Sequence, residues 1–88
     1  MKVYIYREAR DYDSFNAEEI VVFAKKEDAI THLKSQVELF FSEPWERCVE
    51  IVEEEEDGAI WPTYLEYPTG DGYAFFSVTE YKVKGGDM

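Results

Sequence analysis

The chain has 88 residues, 45% hydrophobic and 17% aromatic, which suits one domain with a modest core and excludes a disordered chain. Nine basic against twenty acidic residues give a net charge of −11, and no basic patch is visible that could bind nucleic acid or an anionic membrane surface. A macromolecule recognised through this field would itself be basic.

The compartment is inferred from what the sequence lacks. No apolar run approaches the length of a transmembrane helix, and no signal-peptide stretch follows Lys2. Cys48 is the single cysteine, so an internal disulfide is impossible. We therefore expect a cytoplasmic protein that does not bind membranes.

The first third of the chain predicts two strands and a loop. Met1–Arg7 is β-branched and aromatic on both faces, which predicts an interior strand. Glu8–Ala17 is polar, which predicts a connecting loop. In Glu19–Ala24 apolar residues follow one another, which predicts the second strand.

An amphipathic helix is predicted from about Lys26 to about Phe41. Its apolar side collects Ile30, Leu33, Val37, Phe40 and Phe41. The carboxylates of Glu27 and Asp28 suit the first turn, and Pro44 prevents continuation. Leu39 lies on the opposite side, so either a neighbouring loop covers it or it is exposed.

Three further strands are predicted, at Trp45–Glu54, Ile60–Tyr67 and Tyr73–Lys84. Asp57-Gly58 is typical of a hairpin turn between the first two of them. Pro62 places the strand Ile60–Tyr67 at a sheet edge or breaks its start, because proline has no N–H to donate to the hydrogen bonds of a sheet.

The resulting order is ββαβββ. It predicts an α+β fold of two layers, a mostly antiparallel sheet of about five strands with one helix on one face. Residues 1–84 form the single domain, and residues 85–88 form a frayed tail. The uncovered sheet face would carry Tyr4 or Tyr6, Trp61, Tyr64 and Tyr81, as a dimer interface or a binding surface.

An acidic run is the strongest candidate site. It comprises Glu50, Glu53, Glu54, Glu55, Glu56 and Asp57, with Trp61 and Tyr64 as apolar anchors beyond the turn. One interpretation is a solvated hairpin tip that protects a sheet edge. Another is an imitation of nucleic-acid phosphates. Same-face strand residues lie roughly 6.6–6.8 Å apart, which is the right order for imitating charges along a nucleic-acid backbone. A Ca²⁺ or Mg²⁺ site is disfavoured, because successive strand residues point to opposite faces.

No pattern for catalysis, a cofactor or a metal is present. His32 has no second histidine or cysteine nearby in sequence, and Cys48 is expected to be a small buried residue. The serines lack a nucleophile elbow, and Gly70-Asp71-Gly72 opens no helix. We therefore expect a protein that is not an enzyme.

Three segments carry a resemblance: Met1–Tyr6, Val22–Ala29 and Glu80–Val83. They resemble small uncharacterised acidic proteins of gut Firmicutes and of their phages and mobile elements. By size and charge alone, the chain is similar to anti-CRISPR proteins and other DNA mimics. That similarity implies a phage-encoded inhibitor that occupies a basic nucleic-acid-binding surface of a host defence protein. The alternative is a small homodimeric module whose acidity serves only solubility.

Overall fold

The computed structural model describes residues 1–12, 15–55, 58–61, 63–68 and 72–83. In chain order the elements are β1 (Lys2–Tyr12), β2 (Phe15–Phe23), α1 (Lys26–Phe41), α2 (Trp45–Glu53), β3 (Ala59–Trp61), β4 (Tyr64–Pro68) and β5 (Tyr73–Lys82). The predicted α+β class with five antiparallel strands is confirmed, whereas the order ββαβββ with one helix is wrong. In the described part of the chain, no helix is long and apolar enough to cross a bilayer.

The sheet has the order β2-β1-β5-β4-β3, with every neighbouring pair antiparallel. β1 lies between β2 and β5, which confirms the predicted interior strand. The predicted loop Glu8–Ala17 is wrong, because β1 and β2 stay in register as far as Tyr12 and Phe15. The polar residues there are compatible with a strand, since Glu8 and Arg10 form an ion pair with each other on one face.

Helix α1 has the predicted boundaries. Its buried side chains are Ala29, Leu33 and Val37. The helix ends because Ser42 adopts a left-handed conformation with φ 58° and ψ 40°, and its N–H donates to the carbonyl oxygen of Glu38. Leu39 is 68% exposed, so the alternative of a covering loop is wrong.

Helix α2 replaces the strand predicted at Trp45–Glu54. Trp45, Cys48 and Val52 recur at the spacing of a helix, and the last two are fully buried. Pro44 is the N-cap residue, and its missing N–H is tolerated because no hydrogen bond within the helix requires an N–H at this position. A carboxylate oxygen of Glu38, on α1, accepts a 2.8 Å hydrogen bond from the backbone N–H of Trp45. The helix is therefore capped by a neighbouring element.

The strand predicted at Ile60–Tyr67 is two strands, β3 and β4, which pair with each other. β3 forms an edge of the sheet, one of the two outcomes expected from Pro62, which itself lies outside the described residues. The last predicted strand corresponds to β5. Residues 84–88 also lie outside the described residues, so the division at 84 stays a prediction.

Both helices pack on the same side of the sheet. Cys48 and Val52 of α2 join one core with Leu33, Leu65 and Phe76. The opposite side of the sheet, here called the open face, is therefore covered by neither of the two described helices. Because strand side chains alternate, Tyr64 and Tyr81 lie on the open face as predicted.

The prediction that Tyr4 or Tyr6 lies on the uncovered face is wrong. Tyr6 is fully buried in the core, and Tyr4 packs against that core, so both belong to the helix-covered face. The register explains this placement, since Tyr6 lies beside the buried Val78 of β5.

Candidate acidic interaction surface

The outward surface of α2 gathers a row of carboxylates. The acidic ridge comprises the exposed residues Glu46, Glu50, Glu53, Glu54 and Glu55. At about 100° per residue, the first four fall within an arc of about 100° on one side of the helix. At a rise of about 1.5 Å per residue, Glu46, Glu50 and Glu54 follow one another at steps of about 6 Å.

The ridge has little compensating positive charge. Among the residues that the structure describes, one ion pair involves the ridge: Arg47 Nη1 lies 3.7 Å from Glu50 Oε1, and the two side chains are 47% and 65% exposed. A pair of this kind contributes about 0–1 kcal/mol. Within the described ranges, the other four ridge carboxylates have no cation at ion-pair distance. The negative field of the ridge therefore reaches solvent.

The end of α2 adds to that field. Glu53, Glu54 and Glu55 lie where the carbonyl ends of the helix give a partial negative charge, and the last turn contains no basic residue. A carboxylate in such a position is unfavourable by about 0.3–1 kcal/mol when it is exposed. A positively charged partner would relieve this repulsion and also interact favourably with the helix end.

The structure brings together part of the predicted acidic site. Glu50 and Glu53 lie on helix α2, Glu54 is its C-cap and Glu55 follows directly, so the strand spacing proposed for them is wrong. Glu56 and Asp57 lie outside the described residues. Glu46 is not among the residues of the predicted site. The recurrence of Glu46, Glu50 and Glu54 at every fourth position was the available signal.

The two predicted aromatic anchors belong to β3 and β4. Trp61 pairs with Tyr64 in the backbone register, and the side chain of Trp61 lies outside the described part of the structure. The Tyr64 hydroxyl donates a 3.2 Å hydrogen bond to Glu66. Tyr64 lies on the open face because its neighbour Leu65 points into the core, so it is on the other side of the sheet from the ridge, and its role as an anchor stays a prediction.

The hairpin predicted at Asp57-Gly58 is also wrong, because the element before β3 is helix α2 and not a strand. The N–H of Gly58 donates to the carbonyl oxygen of Glu55 at 3.2 Å. A Cβ atom at Gly58 would lie 2.7 Å from the carbonyl oxygen of Val52. Glycine is therefore required by the close approach of the returning chain to α2.

A polar cluster lies under the helices at β1. The Tyr6 hydroxyl donates to Glu8 Oε1 at 2.5 Å, and Arg10 Nε lies 2.7 Å from Glu8 Oε2. Glu8 is 6% exposed. Burial, and then the hydrogen bond to this carboxylate, raise the pKa of Tyr6 far above its usual range. The Arg10 guanidinium lies 5.1 Å from the ring centroid of Phe40, which ties α1 to the sheet.

The two side chains considered for catalysis lie in the interior or at its margin. Cys48 is fully buried, as predicted, and burial followed by the charge of Glu38 raises the pKa of its thiol. A thiol held in its neutral form is a weak nucleophile. The His32 ring lies between α1 and the sheet, where it packs edge-on against the Tyr6 ring at 4.6 Å and tilted against the Phe23 ring at 5.3 Å between centroids.

The open face contains a groove of about 330 Å³. It is lined by Arg7, Ala9, Glu18, Glu66, Tyr73 and Phe75. Ala9 lies between Glu18 and Phe75 in the sheet register, so its small side chain leaves a depression between larger neighbours. Arg7 Nη2 donates to Glu18 Oε2 at 3.1 Å, so these two charges largely compensate each other.

Neither a known protein family, nor a curated protein, nor a solved structure matches this chain. Among the described residues, no group of three or more His, Cys, Asp or Glu side chains is placed to hold a metal ion. Charge, burial and geometry are thus the basis for a functional hypothesis.

Proposed function

We propose that this chain is a non-enzymatic acidic binding protein whose acidic ridge occupies a basic, nucleic-acid-binding surface of another protein. In its specific form the proposal is a phage-encoded, anti-CRISPR-type inhibitor of a host defence protein. The observation that carries the general form is the charge of the ridge, whose five exposed carboxylates have a single exposed ion pair among the described residues.

The geometry of the ridge suits a basic groove. The nine residues of α2 make a rod about 13 Å long, on which carboxylates recur at about 6 Å. Duplex DNA is more densely charged, with one negative charge per about 1.7 Å of axis. The ridge would therefore cover a short part of such a groove, with fast association that weakens as salt is added.

The ridge is also held in place before any partner arrives. Cys48 and Val52 fix the inner side of α2 in the core, and Glu38 caps its first turn. Because these contacts order the backbone in the free protein, binding requires ordering of the glutamate side chains only. Pre-ordered charge supports a role in recognition.

The test is a pull-down from bacterial lysate at low salt, with elution in a salt gradient. The ridge variant is Glu50→Lys/Glu54→Lys, and the matched control is Glu27→Lys/Asp28→Lys, which has the same net charge and alters the exposed first turn of α1. Circular dichroism would verify that both variants are folded.

We expect the wild type and the control to retain a nucleic-acid-binding protein that elutes as salt rises, and the ridge variant to lose it. Nucleic acid added to the bound complex should displace the chain, because both compete for one basic surface. Equal capture by the ridge variant, or capture of no basic protein by the wild type, would contradict the proposal.

A further inference from the structure

A second surface lies on the open face, away from α2. Its apolar half consists of Val3, Ile5, Ile20, Val22 and Tyr81. The register makes these side chains neighbours, because Ile5 pairs with Val22 and Val3 pairs with Tyr81. Ile20, Val22 and Tyr81 are 56%, 59% and 51% exposed. A contiguous exposed patch of this kind is typical of an interaction site.

Charge distinguishes this patch from the rest of the molecule. The described charged side chains of the open face are Arg7, Glu18 and Glu66, and the first two pair with each other. The apolar half itself carries none. The apolar half has no carboxylates with which a basic partner could pair, whereas the same apolar surface of a second copy of the chain would be complementary to it.

We propose that the open face binds a second copy of this chain, sheet against sheet, in a four-layer helix–sheet–sheet–helix dimer. Two-fold symmetry would place the same patch on both sides of the contact. This inference is independent of the partner of the acidic ridge, since the ridge lies on the opposite side of the sheet.

The face is large enough for a specific contact. β1, β2 and β5 have 11, 9 and 10 residues. At about 3.4 Å per residue and about 4.8 Å between strands, they cover roughly 450 Å² in projection. Two such faces, with β3 and β4 included, would bury about 1,000 Å² or more in total. This area lies at the lower end of the range for specific protein–protein interfaces.

Face-to-face packing also keeps the acidic charges apart. Packed layers are about 10 Å apart, so ridges on the two outer layers would be separated by roughly 30 Å. That distance is several times the screening length of about 8 Å at physiological ionic strength. Contact through α2, in contrast, would bring two ridges together.

The test is the mass in solution by light scattering and sedimentation equilibrium over a wide range of concentration. We expect twice the 10.4 kDa of one chain for the wild type. Val22→Glu and Tyr81→Glu each place a carboxylate in the patch and should raise the dimer dissociation constant at least tenfold. Leu39→Glu is the matched control, because Leu39 is 68% exposed on α1, and this variant should remain dimeric.

Tyr81 separates the proposal from pairing between β2 edges, since it lies on β5 rather than on the edge strand. A dimer that survives Tyr81→Glu, with the variant folded by circular dichroism, would overturn the face-to-face contact. A wild type that stays at the mass of one chain up to millimolar concentration would overturn the dimer itself.

Discussion

Reversing the charge at the end of α2 should stabilise the protein. Glu53 and Glu54 oppose the helix dipole, and Glu54 also repels Glu50 four residues earlier. In the variant Glu53→Lys/Glu54→Lys, lysines face the carbonyl ends instead. Each dipole contribution is about 0.3–1 kcal/mol, and a charge pair four residues apart contributes about 0.2–0.5 kcal/mol.

Because these side chains are exposed, the lower ends of those ranges apply, and the double variant should gain about 1 kcal/mol. For a domain of this size, that gain raises the melting temperature by about 4–8 °C. Calorimetry or circular dichroism at low ionic strength would measure it. High salt should reduce the gain, because both contributions are screened.

The control is Glu27→Lys, a single charge reversal of the same kind in the first turn of α1. There the carboxylate favours the helix, so its reversal should destabilise by about 0.3–1 kcal/mol. If the gain at α2 came only from lower net charge, Glu27→Lys would also stabilise. Equal stabilisation by both variants, or a loss of stability in the α2 variant, would refute the reasoning.

Three further predictions concern the interior. Tyr6→Phe should reduce stability by about 1.5–3 kcal/mol at pH 7, because it removes a buried hydrogen bond to a carboxylate. Folding raises the pKa of Tyr6, so above about pH 10 this hydroxyl ionises in the unfolded chain only, and the stability of the wild type should fall. Urea titrations at increasing pH should show a shallower fall for Tyr6→Phe. Gly58→Ala should lose about 1–3 kcal/mol in the same assay, because its methyl group would meet the carbonyl of Val52. Leu33→Ala should lose about 2–5 kcal/mol and Leu39→Ala about 0.5 or less, since the first side chain is buried and the second exposed.

Much of the fold could be predicted because its signals are local. The boundaries of α1 follow from its apolar period and from Pro44, and β1 and β5 follow from alternating β-branched and aromatic residues. The extension of β1 and β2 through Glu8–Ala17 could not be predicted, because it depends on pairing across the sheet. The ion-pair partner of Glu8 is Arg10 of the same strand, and only the extended backbone places these two side chains on one face.

The candidate site shows the same division. Composition alone identified the acidic residues, since their charge does not depend on the fold. The arrangement of these carboxylates does depend on the fold. The side of the sheet on which Tyr64 lies also depends on it, because a shift of one residue in the register of β4 would move Tyr64 to the other side. Leu65 fixes that register through its burial, and burial is a property of the assembled core.

One detail within Trp45–Glu54 nevertheless distinguishes helix from strand. In a strand, Cys48, Glu50 and Val52 would share one face, so a carboxylate would enter the core between two apolar side chains. In a helix, Cys48 and Val52 turn inward together, while Glu50 turns outward with Glu46. The helix is therefore the conformation that places these apolar side chains on one side and these carboxylates on the other. That separation places the acidic ridge on the outer surface of the helical layer and leaves the open face of the sheet free of it.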